Sequence, residues 1–266
     1  MIPNRSSKQK PDFPYWLVAI VALGVLAGIA VAANPLYTQV LEKLAKGVKI
    51  TIFVTLVGFA MASLIGLLLA VASLSRFIVF RQFARFYIEV IRGLPILVIL
   101  LYVSFVVAPA MVHGWNWIAD GLGLDPVRTR DFTFLWRAII ALTIGYSAFI
   151  AEVFRAGLLS VETGQIEAAE ALGLNGWQRF RHIVFPQAIR TIMPPLGNDF
   201  IAMIKDSSLV SVLGVLDITQ LGKVTAAGNF RYFETYNMVA LLYLTLTVTL
   251  SLGLRKLEER MRKKYP

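Results

Sequence analysis

The sequence predicts an all-α integral membrane protein, because it is rich in apolar residues, poor in charge and arranged in long apolar blocks. Of its 266 residues, 57% are apolar and 16% are charged, and the mean hydropathy is +0.68. A soluble domain carries about 25% charged residues. This composition excludes an ordinary globular enzyme, a disordered chain and a coiled coil.

Six segments are predicted to span the membrane, since a helix needs about 20 apolar residues to cross it. Four uncharged blocks meet this requirement: Tyr15–Ala33, 50–75, 94–112 and 236–254. Two weaker segments are 132–151, which contains Arg137, and 188–204, which contains Arg190 and Asp199. Weak spans of this kind usually face a bundle interior or an aqueous path.

The distribution of basic residues predicts that both termini are cytoplasmic. The connections on the side of the N-terminus carry 17 Lys and Arg residues, and the outer connections at 34–49, 113–137 and 205–235 carry nine. Basic residues are in excess on the cytoplasmic side of membrane proteins. We therefore attribute the net charge of +10 to these flanking residues and not to nucleic-acid binding.

The sequence also predicts the conformation of three segments that connect the spans. The pattern of 76–92, with its charged residues on one side, predicts an amphipathic helix that lies on neighbouring helices at the cytoplasmic side. The outer loop 113–131 is too polar to insert and is expected to cap the outer mouth or to contact an external partner. Segment 207–222 is predicted to be a short helix or a re-entrant segment.

The cytoplasmic connection 157–186 begins with a short helix. Glu167, Ala168 and Ala169 open a run of strong helix formers. Gly173 follows this run at the position where a glycine commonly ends a helix. The two alanines would let a partner approach closely, and the glycine would let a short helix project across the membrane plane.

A second short helix is predicted directly after it. Asn175 suits an N-cap, and Gln178 three residues later completes a capping-box pattern. The helix is predicted to run over 177–185 and to end before Pro186, because proline has no N–H to continue the hydrogen bonding.

The spacing of these residues resembles the EAA loop of ABC importer permeases, although Phe185 stands where that family usually has Leu. The resemblance implies that the loop forms a coupling helix, which sits in a groove of a cytoplasmic ATP-binding subunit. The residues that carry this expected ATPase-coupling role are Glu167, Ala168, Ala169, Gly173, Ile183 and Pro186.

More of the chain resembles one branch of that family, the polar amino-acid uptake permeases. The resemblance implies the fold of a type I importer transmembrane domain, with a five-helix core at 46–260. Residues 1–45 then form a cytoplasmic segment and one extra transmembrane helix, and 261–266 form a basic tail. The segments that carry the resemblance are 87–95, with Leu94 in place of the usual Thr, 147–155, 186–188, 194–198 and 205–209.

The resemblance also implies the partners and the location. A multi-pass permease of the bacterial cytoplasmic (inner) membrane would pair with a second permease chain, as a homodimer or a heterodimer. Two ATP-binding cassette subunits would bind ATP and Mg, so this chain would need no cofactor. An extracytoplasmic solute-binding protein would deliver the cargo, with 113–131 and 223–235 as candidate contacts.

Intramembrane polar residues should mark the substrate path. Asn198 and Asp199 lie in the weak span 188–204, shortly after a pair of prolines that ends at Pro195. Ser147 lies in the other weak span, 132–151. An unpaired carboxylate in lipid costs about 3 kcal/mol, so Asp199 should face protein or water. It either binds the ammonium of an amino acid or pairs internally with Lys205 or an arginine.

Two charge pairs are expected to be structural ion pairs at an inner gate. Glu89 and Arg92, and Glu152 and Arg155, are each three residues apart, so each pair shares one helix face. Both pairs lie near the predicted cytoplasmic ends of their spans.

An enzyme is not expected, because the chain has no Cys, only two His residues, no metal-ligand pattern and no phosphate-binding glycine loop. We expect no catalytic residue and no metal site. Two alternatives remain open: an importer of another small polar solute, such as an osmolyte, and a passive channel. A channel would conduct without an ATPase.

Overall fold

The computed structural model describes residues 15–264, and all its regular elements in this range are helices. The predicted cytoplasmic segment 1–14 and the last two residues of the basic tail lie outside the described residues. Two π-turns, Val103–Val107 and Phe180–Val184, and a 3-10 helix, Ser207–Leu213, interrupt the α-helices. The α-helices are α1 Tyr15–Ala33, α2 Pro35–Ser73, α3 Ile78–Arg92, α4 Ile96–Tyr102, α5 Ala108–Gly121, α6 Phe134–Leu159, α7 Thr163–Ala171, α8 Gly176–Arg179, α9 Phe185–Asp206, α10 Ile218–Asn229 and α11 Tyr232–Lys264.

Within the described range, four helical stretches are long and apolar enough to cross a membrane. They are Pro35–Ser73, Ile96–Gly121, Phe134–Leu159 and Tyr232–Met261. The all-helical membrane architecture is therefore confirmed. Helices also form at the two other predicted spans, α1 and α9, while the count of six spans and the cytoplasmic position of the termini stay predictions.

Helix α6 lies at the centre of the bundle, and α2, α3, α4 and α9 pack around it. Ile139, Leu142 and Ile150 of α6 are fully buried and share one apolar core with Val54 of α2 and Met203 of α9. The prediction that this weak span faces the bundle interior is thus confirmed.

Small residues allow this close packing. A Cβ on Gly66 of α2 would lie 2.9 Å from Cγ2 of Ile150 and 3.0 Å from the carbonyl oxygen of Ser147. A Cβ on Gly157 of α6 would lie 2.2 Å from Cγ1 of Ile192. Small residues at such positions let membrane helices approach each other closely.

The helix that contains the second predicted span, 50–75, begins before that span, at Pro35. The side chain of Asn34 accepts a hydrogen bond from the N–H of Leu36 at 3.0 Å, and proline is well suited to the first helical turn. The early turns are held by Val40 and Leu44, which pack against α10 and α11. The predicted outer connection 34–49 is therefore helical from Pro35 onwards, and the predicted boundary between residues 45 and 46 falls inside α2.

The predicted outer loop 113–131 is helical up to Gly121, so the prediction of a loop over its first half is wrong. The remainder of this segment, after Gly121, is anchored by Arg137, which is 6% exposed. Its guanidinium donates to the carbonyl oxygens of Phe132 at 2.7 Å, Ser104 at 3.0 Å and Thr129. The buried charge is thus surrounded by acceptors, which links the π-turn at Ser104 to the start of α6.

Segment 207–222 folds as the 3-10 helix followed by α10. Gly214 ends the 3-10 helix with a φ of 78°, and the buried Asp217 caps α10 by accepting from the N–H of Gln220 at 2.8 Å. Asp217 also accepts from the hydroxyl of Tyr243 at 3.0 Å. The side-chain hydroxyl of Thr51 in α2 accepts from the backbone N–H of Ile218 at 3.4 Å. This cluster joins α2, α10 and α11.

Replacing Gly47 by Ala should separate α2 from α10. The new Cβ would lie 2.6 Å from the carbonyl carbon of Asp217 and 2.6 Å from the nitrogen of Ile218, which are backbone atoms and cannot rotate away. We expect a loss of about 1–3 kcal/mol, measured as a lower thermal unfolding midpoint in detergent. Gly58→Ala on the same helix is the control, because its nearest contact is the flexible Cε of Met203 at 3.3 Å. Equal midpoints for the two variants would contradict this account.

Candidate functional site

Helix α7 ends at a left-handed glycine, as the sequence predicts. Gly173 has a φ of 77°, and its N–H donates to the carbonyl of Glu170 at 2.9 Å. The N–H of Leu174 donates to the carbonyl of Ala169 at 3.1 Å. These two bonds form a Schellman motif, which satisfies carbonyls that a helix end leaves unpaired.

Helix α8 begins at the predicted capping box. The side chain of Asn175 accepts from the N–H of Gln178 at 3.0 Å, and the Gln178 side chain accepts from the N–H of Asn175 at 2.9 Å. This part of the prediction is confirmed.

The prediction that this second helix ends before Pro186 is wrong. From Gly176 the chain continues through the π-turn Phe180–Val184 into α9, and Pro186 is the second residue of α9. Pro186 follows a local change in the hydrogen bonding, because the N–H of Phe185 donates to the carbonyl of Phe180, five residues earlier. The helical path from α8 into α9 is consequently continuous.

The two short helices form one unit with apolar side chains on its surface. The guanidinium of Arg179 pairs with the Glu170 carboxylate at 3.0 Å and so joins α8 to α7. Leu172 is 80% exposed and Trp177 is 66% exposed, and the Trp177 ring stacks on Phe180 with centroids 5.9 Å apart. Exposed apolar surface on an otherwise polar segment is typical of a contact with another protein.

The residues expected to couple to an ATPase differ in exposure within this unit. Glu167, Ala168 and Gly173 are exposed, whereas Ala169 is buried. Ile183 and Pro186 are half-buried, in the π-turn and at the start of α9.

Helix α9 has one exposed polar side in the single chain. Pro195 and Asn198 are exposed, together with Thr191 and Lys205 at compatible helical positions. Ser147 is not exposed with them, because it is fully buried on α6, where its hydroxyl lies 2.8 Å from that of Tyr87. The structure therefore groups two of the predicted path residues on one surface and places Ser147 in the packed interior.

Asp199 lies at the border of this exposed side. Its Oδ2 atom is buried and has no hydrogen-bond partner among the described residues. In the same range no ion pair joins it to Lys205, which was one of the two internal pairings considered. Tyr146 lies within electrostatic reach of Asp199 and donates its hydroxyl proton to Asp206 at 2.8 Å. The site thus combines two carboxylates, one of which keeps an open acceptor.

One of the two expected gate pairs forms. Nη2 of Arg155 lies 2.6 Å from the Glu152 carboxylate. No ion pair between Glu89 and Arg92 is found among the residues that the structure describes. Arg92 is the last residue of α3, and its guanidinium instead lies over the ring of Phe149, 5.9 Å from the centroid.

Comparison with known proteins identifies the chain. The family model described as "Binding-protein-dependent transport system inner membrane component" matches residues 62–263. This range covers most of the chain. The chain belongs to this family. The resemblance to ABC importer permeases is therefore confirmed, and the protein is the permease type of subunit in a binding-protein-dependent transport system.

Individual relatives align with this chain over nearly their whole length. The glutamine transport system permease protein GlnP of Escherichia coli is 38% identical over 219 residues, which are 82% of this chain and 93% of that protein. The probable amino-acid permease protein YxeN of Bacillus subtilis is 36% identical over 222 residues, or 84% and 92% of the two chains. A crystal structure titled as an amino acid ABC transporter with histidines matches with a TM-score of 0.69 and 34% identity, over 82% of this chain and 94% of that one. The predicted type I importer permease fold is confirmed at this level.

Sequence reasoning missed two residues of the site, Tyr146 and Asp206. Their hydrogen bond joins α6 to the end of α9, across 60 residues of sequence. The only local signal was the acidic charge of Asp206 at the end of a weak span. Tyrosine in an apolar block carries no comparable signal, because its partner is defined only by the packing of the two helices.

Replacing Asn175 by Ala should loosen the start of α8. Loss of an N-cap costs about 1 kcal/mol, which corresponds to roughly fivefold faster opening. Hydrogen–deuterium exchange of the amides of Gln178 and Arg179, which both donate to Asn175, measures this change. Arg181→Ala, at an exposed position of the same segment, is the control and should leave the exchange unchanged. Equal rates in the two variants would argue that the capping box does not hold the loop.

Proposed function

We propose that the chain is the permease subunit of an ATP-driven importer for polar amino acids in the cytoplasmic (inner) membrane of a bacterium. The observation that carries this proposal is the two-helix unit of α7 and α8, which presents apolar side chains on a polar loop. The names of the relatives, glutamine and amino-acid permeases, support the class of cargo.

The proposed assembly contains two copies of such a permease, two ATP-binding subunits and an extracytoplasmic solute-binding protein. The ATP-binding subunits would bind ATP and Mg and dock on the part of α7 and of the turn after it that exposes Glu167, Ala168 and Gly173, with Ala169 buried beneath it. ATP binding would draw these subunits together and move α7 and α8. Because α8 continues into α9, the movement would reach the pore-lining helix directly. The permease itself would transfer solute and carry out no hydrolysis.

The proposed path follows the exposed side of α9. Pro194 and Pro195 have no N–H, so the backbone carbonyls one turn before them lack their helical donors. Asn198 adds an exposed amide, and Asp199 adds a carboxylate with an open acceptor. Such a set of acceptors suits the ammonium group of an amino acid. Ser147, which is buried, would not touch the cargo and would instead hold α6 against α3 through its contact with Tyr87.

The charged groups Glu89, Arg92, Glu152 and Arg155 would lie at the inner gate. The Glu152–Arg155 ion pair is on α6, and Arg92 of α3 lies against the same helix. Movement of α3 relative to α6 would change the contacts of Arg92 and Glu89 while the ion pair within α6 persists.

Reconstitution tests the proposal. The permease, the ATP-binding subunit and the binding protein encoded beside it are placed in proteoliposomes, and uptake of radiolabelled L-glutamine and other amino acids is measured. We expect uptake that requires ATP and the loaded binding protein. Passive conduction by the permease alone would contradict this proposal and support the channel alternative. ATP-driven uptake of an osmolyte but of no amino acid would support the alternative of an importer for another small polar solute.

Replacing Gly173 by Val should uncouple hydrolysis from uptake. A residue with a Cβ is strained at a φ of 77° by about 1–2 kcal/mol. A Cβ there would meet nothing within 4 Å, so the effect is conformational and not a clash. We expect uptake to fall about tenfold while the protein still inserts and the complex still hydrolyses ATP. Gly164→Val, also in open space on α7, is the control. Normal uptake by the Gly173→Val variant would remove the coupling role of the α7 end.

Replacing Asp199 by Asn should weaken transport more than expression. The amide keeps the shape but loses the charge, and one charged hydrogen bond is worth about 1.5–3 kcal/mol. We expect uptake of L-glutamine to fall tenfold or more, as roughly 1.4 kcal/mol corresponds to a factor of ten. Glu42→Gln at an exposed position of α2 is the control. A fall in expression in step with transport would instead indicate an internal structural pairing of Asp199.

A further inference from the structure

A cavity lies between the C-terminal ends of α2 and α6 and the polar side of α3. Its volume is about 400 Å³, which is within the range of roughly 300–1,000 Å³ found for small-molecule sites. Ser73 and Ile88 form its buried wall, and Leu159 at the end of α6 lies at its margin. Leu159 precedes the first residue of α7 by four positions, so the cavity is on the side of the proposed coupling loop.

Four charged side chains line this cavity: Arg85 and Glu89 from α3, and Glu152 and Arg155 from α6. Their formal charges cancel. Glu152 and Arg155 are bound to each other through three hydrogen bonds of 2.6–3.2 Å. Arg85 and Glu89, which are both exposed, form no ion pair within the described part of the chain.

The order of these two residues along α3 gives them little preference for pairing with each other. They are four positions apart, with about 5–6 Å between their Cβ atoms, but an acidic residue that follows a basic one is the weaker arrangement. The cavity therefore offers one positive and one negative group, side by side and open to a ligand.

We propose that this cavity binds a free zwitterionic α-amino acid on the cytoplasmic side. Arg85 would hold the carboxylate, because a guanidinium binds carboxylates with two parallel hydrogen bonds. Glu89 would accept the ammonium group. The paired Glu152 and Arg155 would form the opposite wall and contribute no net charge. A simple anion or cation would satisfy one of the two open groups and leave the other unpaired.

Occupancy of the cavity would slow the transport cycle. A ligand held there would join α3 to the end of α6, directly before the link to α7. This effect rests on the proposed function, in which α7 moves with the ATP-binding subunits. Imported amino acid that accumulates inside the cell would then inhibit further import, without any added regulatory domain.

Proteoliposomes with the complete transporter test the inference. Initial ATP-driven uptake of radiolabelled L-glutamine is measured with increasing unlabelled L-glutamine inside, and each variant is scaled to its own rate without internal L-glutamine. Binding of labelled L-glutamine to the complex in detergent without the binding protein gives a second readout. We expect saturable inhibition in the wild type. Arg85→Gln and Glu89→Gln should each raise the inhibitory concentration and the dissociation constant at least about tenfold. Arg76→Gln, an exposed arginine outside the cavity, should change neither.

The outcomes separate the inference from the function on which it rests. ATP-driven uptake without inhibition by internal L-glutamine, or inhibition that both variants retain, overturns the cavity proposal and leaves the importer intact. Absence of any ATP-driven amino-acid uptake in the wild type overturns the proposed function itself. If one variant fails to assemble, the other still decides, because each removes one pole of the same site.

Discussion

The constraint on which the structure depends is the pairing of backbone groups where no water is available. A helix in the hydrocarbon region must satisfy its own carbonyls, and any interruption needs a partner within the protein. The interruption at Val103–Val107 has such a partner, because Arg137 of α6 donates to the carbonyl of Ser104 as well as to that of Phe132. The charge that weakens α6 as a span is thus the group that fastens this end of the bundle around it.

Close approach of helices at small residues helps to hold the membrane portion together, beside the apolar core. Gly47, Gly66 and Gly157 each face a neighbouring helix at a distance that a methyl group would close. This arrangement follows from the solvent, since lipid gives apolar side chains little reason to leave it and leaves van der Waals packing to hold helices. Large apolar side chains occur both in the core, as Ile139 and Leu142 do, and on the surface, as Val79 and Phe86 of α3 do.

Features that depend on neighbouring residues could be predicted from the sequence, and those that depend on distant contacts could not. The end of α7 at Gly173 and the start of α8 at Asn175 are set by local backbone chemistry, and both were predicted correctly. The start of α2 carried a local signal too, Asn34 followed by proline, but residues 34–49 were assigned only as a connection between spans. The helical conformation there is stabilised by packing of Leu44 against α10 and α11. Likewise, Arg92 lies over the ring of Phe149 from α6, a contact between distant parts of the sequence that no local pattern predicts.

The helix that continues through Pro186 changes how the loop and the path are related. A helix that ended there would leave a flexible joint between the coupling loop and α9, and displacement of the loop could be lost in that joint. Instead α8 leads through the π-turn into α9, and the Gln187 side chain donates to Gln165 of α7 at 2.6 Å. The loop is therefore tied to the helix that carries the two prolines and Asp199. Under the proposed function, the proline pair, one turn before the open carboxylate, is a place at which this connected lever can bend. A force applied at the loop would thus act where the cargo is held.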